Sequence, residues 1–170
     1  MATQTQHGQI VDPTPERRRR LVRILQDFLN NKVSIAELKG LSRRKLFQLA
    51  ESGHVKFKYG RVAEAEKIFE ALLLLDHRNA YFHSVMAAIH QKNGRIVQAI
   101  VEYSKALQLN PKDIVSHVNR GEIFLRNKDF RKAAEDFRSA ILMDTSGRNL
   151  WANRARSLVI ALKRNIESAH

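Results

Sequence analysis

Histidine has the widest chemical reach of any residue type in this 170-residue chain, which contains seven histidines and no cysteine. His83 and His90 stand seven apart, on one face if the segment is helical, and His117 follows His83 by 34. Imidazoles on one helix face could hold a transition metal, but that chemistry needs three or four donors at matched spacing. No Asp or Glu joins these histidines in such a pattern, and no thiolate is available. The spacing points instead to rings packed between helices, so no metal and no cofactor is expected. Enzymatic chemistry has no better candidates. A glycine-rich phosphate loop, an HExxH pair and a nucleophile elbow are all missing from the sequence, and the adjacent Glu135 and Asp136 diverge on a helix. The chain reads as no enzyme, and its chemistry as binding.

Charge is the other candidate. Thirty Lys and Arg against seventeen Asp and Glu give a net charge of +13. Residues 1–45 hold ten basic side chains against four acidic, residues 46–147 fifteen against twelve, and residues 148–170 five against one. The excess therefore sits in the flanks, around a nearly balanced middle. The run Arg17–Arg20 with Arg23 could meet nucleic acid, an anionic membrane or an acidic partner. With no interleaved aromatics, no RNA-binding signature and no helix-turn-helix, neither nucleic acid nor membrane is an expected partner. The run reads as the solvated side of a helix. No apolar stretch approaches the roughly 20 residues of a membrane helix, and the first residues lack the order of a secretory signal. A cytoplasmic home is expected, with which the lack of cysteine agrees.

The elements that position these groups follow from a repeat of 34 residues. Ala65, Ala99 and Ala133 are 34 apart, as are Phe69, Tyr103 and Phe137, and Leu72, Ala106 and Ala140. Small residues Gly53, Ala87 and Gly121 align upstream, with Val62, Ile96 and Phe130 between, and Gly60 and Gly94 are matched by Lys128. This is the tetratricopeptide period, a helix–turn–helix in which small residues let paired helices approach and an aromatic fills the space beyond. The expected fold is all-α, a right-handed α-α superhelix of three tetratricopeptide repeats with an N-terminal helix and a C-terminal capping helix. Repeats are assigned to 46–79, 80–113 and 114–147, the first helix over about the first 14 residues and the second over residues 18–30 of each. Residues 148–170 read as the capping helix, with Trp151, Ala155 and Leu158 at the Trp, small and large-apolar positions of a fourth start. In "EALLLLDHRN" all four leucines are expected to be buried between repeats. Residues 14–45 read as an N-terminal helix capped by Thr14, a short turn of helix over 35–38, a break at Gly40 and Ser42 capping the first repeat. Residues 1–13 are expected to be disordered.

Two stretches go beyond the generic repeat: "LNNKVSIAELKGLS", and "LFQLAESGHVKFKYGRVAEAEKIFEALLLLDHRNAYF" with its Leu-Asp-His ending. They resemble the connector and first repeat of the class II type III secretion chaperones, the SycD/LcrH-type translocator chaperones. Gly60, Ala65, Phe69, Leu72, Leu75, Asp76 and His77 match the first repeat without a gap, and Phe82, Ala88, Gly94, Ala99 and Tyr103 continue in register; the likeness covers about residues 20–145. The resemblance implies a chaperone that holds secreted, translocator-type clients by an extended segment in a groove lined by first helices. The matching groove positions are Phe47, Ala50, His54 and Phe57; Tyr81, Ser84, Ala88 and Gln91; and Val118, Glu122 and Leu125. It also implies a homodimer through the N-terminal helix, whose apolar residues are Leu21, Ile24, Leu25 and Phe28. Other readings of the same repeats are a generic bacterial adaptor, or a basic nucleic-acid- or membrane-associated protein working through its flanks.

Overall fold

The structure, a computed structural model, describes residues 15–30 and 32–167; Thr14 and the segment 1–13 lie outside them. Nine helices follow one another among these residues, with no strand: α1 (Pro15–Leu29), α2 (Ile35–Leu38), α3 (Arg43–Lys58), α4 (Val62–Leu75), α5 (Ala80–Lys92), α6 (Ile96–Leu109), α7 (Ile114–Arg126), α8 (Phe130–Met143) and α9 (Leu150–Glu167). The architecture is the all-α, tetratricopeptide-like stack of helical hairpins that the period implies, with pairs α3–α4, α5–α6 and α7–α8 followed by α9.

Local chemistry explains most of the helix ends. Ser34 and Glu37 form a reciprocal capping box at α2, the Glu37 amide donating to Ser34 Oγ (3.2 Å) and the Ser34 amide to Glu37 Oε2 (2.7 Å). Ser42 caps α3 by accepting from the Lys45 amide. The turns inside the three hairpins share one backbone device. Gly60, Gly94 and Lys128 all adopt positive φ (79°, 74° and 61°), the left-handed conformation that ends a helix tightly. Glycine takes it without strain; Lys128 holds the same place with a Cβ.

The hairpins close around the small residues. A Cβ on Gly53 would stand 2.8 Å from Phe69 Cε2, and one on Gly121 would stand 2.7 Å from Phe137 Cε1. Phe69, Tyr103 and Phe137 are all fully buried, as are Ala65, Ala99 and Ala133. The rings of Phe69 and Phe137 thus press so closely on the backbone of their partner helices that not even a methyl group fits between. Three core clusters result, each combining one hairpin with the helix that follows. Phe69 and Leu72 pack with Phe82 and Ile89 of α5; Ala99 and Tyr103 with Ile123 of α7; Phe137 and Ala140 with Ala155 of α9. This is nearest-neighbour stacking, the quasi-one-dimensional packing of repeat proteins.

Two sequence expectations need correction. Of the four leucines, Leu72 is buried and Leu73 and Leu75 are partly buried, but Leu74 is 71% exposed. At 100° per residue Leu74 points about 200° away from Leu72, and nothing packs on that side of α4. The last helix is also shifted. Asn79, Asp113 and Asn149 are equivalent caps, each accepting from the amide two residues on (Tyr81 3.1 Å, Val115 3.1 Å, Trp151 2.9 Å). The first two are 34 apart and the last two 36, so Trp151 is the counterpart of Tyr81 and Val115, not of the packed Trp position. The two additional residues lie in the turn 144–149. There the buried Asp144 accepts from Ser146 Oγ (3.0 Å), the Arg148 and Asn149 amides (3.3 and 3.2 Å) and Arg156 Nη1 (2.8 Å).

Left-handed backbone at a residue with a Cβ costs about 1–2 kcal/mol, and glycine's freedom in the unfolded chain offsets part of that. Lys128→Gly is therefore expected to raise stability by about 0.5–1 kcal/mol, or about 1–4 °C in Tm for a chain of this size. Thermal unfolding followed by circular dichroism reads this, and a lowered Tm would contradict the shared turn geometry.

Candidate functional site

The first helices of the hairpins lie side by side: α3 touches α5, α5 touches α7, and α7 touches α9. Their common face carries two hollows. One, of about 400 Å³, is lined by Phe47, Ala80 and Tyr81 among charged side chains including Glu37, Arg43, Asp76 and Arg78. The other, of about 540 Å³, has apolar walls from Phe57, Tyr81, Val85, Ala88, Val115 and Trp151, and polar groups from His54, Ser84, Asn110, Asp113 and Asn119. Ala80, Tyr81 and Asn110 border both, so Tyr81 forms the ridge between two parts of one groove. Its ring lies nearly parallel to that of Phe47, centroids 6.4 Å apart, and meets the buried Phe69 edge-on at 6.4 Å. Partial burial, with the Glu51 carboxylate nearby, pushes the Tyr81 phenol up, so it remains a hydrogen-bond donor.

Of the eleven groove positions expected from sequence, the structure brings Phe47, His54, Phe57, Tyr81, Ser84 and Ala88 to these hollows. Ala50 and Val118 are instead fully buried, in the clusters around Phe69 and Phe137, and have no surface to offer a ligand. They set helix spacing. Gln91 is half-buried and accepts from the Tyr103 hydroxyl (3.0 Å). Glu122 turns toward α9, where Arg154 grips its carboxylate through Nε and Nη2. Leu125 packs on the cluster around Phe137. Ser84 lines the groove, yet its hydroxyl is engaged inward. Ser116 Oγ lies 2.6 Å from Asp113 Oδ2 and 2.8 Å from Ser84 Oγ. A carboxylate only accepts, so Ser116 gives its one hydrogen to Asp113 and receives that of Ser84. This chain ties α5 to α7 beneath the groove.

Besides Ala80 and the charged rim of the first hollow, the lining residues missed by sequence reasoning include Val85, Asn110, Asp113, Val115, Asn119 and Trp151. Val115 stands 34 after Tyr81, so extending the period from that groove residue would have found it; Asn119 stands 34 after Val85, which was itself missed. Trp151 was hidden by the 36-residue spacing of the last cap.

On α1, Ile24 and Phe28 are half-buried, while Val22, Leu25 and Leu29 are 53%, 54% and 81% exposed. The Leu21 side chain lies outside the described residues.

The histidines resolve into a repeated structural brace. His83 Nδ1 meets Glu102 Oε2 at 2.5 Å and its Nε2 meets the His77 carbonyl at 2.8 Å. His117 does the same one repeat later, to Asp136 Oδ1 (2.8 Å) and the Pro111 carbonyl (3.2 Å). The brace joins the first helix of a hairpin to its second helix and to the preceding turn. No group of three His, Asp or Glu that could hold a metal ion occurs among the described residues. Burial opposes the charge on Glu102, but hydrogen bonds from His83 and Lys105 outweigh it and hold its carboxyl down from the ordinary 4.5 to about 2. Asp136 is likewise held low: burial opposes its charge, and Arg120 and His117 overcome that.

No family model matches the chain. The low calcium response locus protein H of Yersinia pestis is 26% identical over 148 residues, which are 86% of this chain and 88% of that protein. Among solved structures, the type III secretion translocator chaperone SycD of Yersinia enterocolitica superposes with a TM-score of 0.70 at 25% identity, over 76% of this chain and 98% of that one. PcrH, a Pseudomonas aeruginosa protein, superposes in its complex with the chaperone binding region of PopD with a TM-score of 0.67 at 28% identity, over 74% of this chain and 96% of that one. In sequence and in fold, the chain resembles the type III secretion translocator chaperones.

A carboxyl whose folded pKa is depressed contributes stability above its unfolded value and loses it as pH falls toward the folded value. Glu102 therefore stabilises the fold fully above about pH 5 and progressively less toward pH 2. Glu102→Gln should lower Tm at pH 7 and flatten the fall of Tm between pH 5 and 2; an equally steep fall in the variant would remove the brace from the account.

Proposed function

We propose that the protein is a chaperone that binds, without catalysis, an extended segment of a secreted translocator-type client in the groove of α3, α5 and α7. One observation carries this reading. Phe47, His54, Phe57, Tyr81, Ser84 and Ala88, which the resemblance assigns to a groove, line two adjoining hollows that meet at Tyr81, in a fold shared with PcrH bound to the chaperone binding region of PopD. The physical chemistry suits the task. Aromatic and aliphatic walls accept proline and leucine side chains, and the amides of Asn110 and Asn119 can pair with the backbone of a chain that has no partners of its own. Capture of such segments before export places the protein in the cytoplasm, and no helix among the described residues is long and apolar enough to cross a membrane.

Two side chains that reach the groove from the edge of the core provide the test. Phe57→Ala with Tyr81→Ala is expected to lower Tm while leaving the helical fold intact by circular dichroism, because both rings also pack on the core around Phe69, and to weaken binding of the PopD chaperone binding region by at least tenfold, as truncation of aromatic anchors does. Fluorescence anisotropy with a labelled peptide measures it, and unaltered affinity would remove the groove from the function.

The exposed side of α1 supports a second contact, between two copies of the chain, as the resemblance implies. Leu25→Glu should shift sedimentation at micromolar concentration toward the monomer; a wild-type protein that is already monomeric there would rule this contact out.

A further inference from the structure

Phe47, Tyr81, Val115 and Trp151 form a row, one from each of α3, α5, α7 and α9. Phe47 and Tyr81 are 34 apart, as are Tyr81 and Val115, and the 36-residue step to Trp151 follows the shifted cap at Asn149. All four border the groove, and three are large rings left 49%, 39% and 38% exposed (Phe47, Tyr81, Trp151). An aromatic on the first turn of a terminal helix gains nothing from standing in water, and a helix that only covered the stack could bury it. Instead α9 covers the stack with Ala152 and Ala155, both fully buried, and turns Trp151 to the groove. The turn before it is pinned by the four hydrogen bonds to Asp144, and Arg156, from the next turn of α9, supplies one of them.

We infer that α9 is a fourth groove helix and that Trp151 anchors the client: the occupant is an extended segment whose apolar side chains seat against Tyr81, Val115 and Trp151 in turn. The inference rests on the groove reading above and adds to it the end of the groove that the ligand reaches. The flanking amides of Asn110 and Asn119 sit where the intervening backbone would pass.

Trp151 is the sole tryptophan of the chain, so its emission reports directly on this end of the groove. The probe is the PopD chaperone binding region, made with phenylalanine at any tryptophan position. Added to the wild-type protein, it is expected to shift Trp151 emission to shorter wavelength. Trp151→Ala is expected to weaken binding about tenfold, comparable to Tyr81→Ala, with Tm unchanged. If Tyr81→Ala weakens binding while the emission stays fixed and Trp151→Ala binds normally, α9 is only a cap and the inference fails alone. If the peptide binds neither variant differently from wild type, or does not bind at all, the groove reading falls and takes the inference with it. Should Trp151→Ala lower Tm, the wild-type emission shift decides by itself.

Discussion

The contact on which the rest of the structure depends is that of an aromatic ring against a residue with little or no side chain. At Gly53 and Gly121 the ring of Phe69 or Phe137 lies closer to the backbone than any Cβ would allow. That approach fixes the separation and the crossing of the two helices in a hairpin, and stacking equal hairpins then places every first helix beside the next. The groove is a by-product of this regularity. Side chains on the outer turn of each first helix fall into rows because the helices carrying them are spaced by the same buried ring. A change of ring size in one hairpin would therefore be felt in the groove, although no ring of the three lines it.

Much of this was legible in the sequence because repetition multiplies a weak signal. One Ala four residues before one Phe says little, but the same pair at 65 and 69, 99 and 103, and 133 and 137 defines two helices and their contact. The short helix over 35–38 was legible for a different reason, since Ser34 and Glu37 are a capping box written out in sequence. What the sequence hid was the direction of individual side chains. Ala50 and Val118 occupy first helices, as groove residues do, but small changes in rotation put them in the core. Leu74 shows the opposite case, an apolar residue in an apolar run that packing leaves in water. Trp151 was misplaced because the period was carried one step too far, across a turn that the hydrogen bonds of Asp144 had lengthened.

The polar chemistry of the site is turned mostly inward. Ser84 donates to Ser116, Ser116 to Asp113, and Glu122 is taken by Arg154. Each bond satisfies a polar group that would otherwise stand desolvated beside a bound chain. A surface prepared in this way presents mainly rings and methyl groups, which suits a ligand recognised by shape and apolar contact. The large positive charge lies elsewhere, mainly in the flanks, where it acts on how a partner approaches more than on how tightly it is held.

The nearest-neighbour packing of the core has a kinetic meaning. Each cluster joins one hairpin to the helix after it, so almost all the chain segments that must meet are close in sequence. Folds of such low contact order form on microsecond to millisecond timescales, because little loop-closure entropy is lost before contacts begin to stabilise the chain. The first hairpin and α5 complete a core of their own, from Ala36 to Ile89, before any later residue is needed. A chain emerging from the ribosome could therefore acquire its first packed unit, and the ridge at Tyr81, while its C-terminal half is still being made.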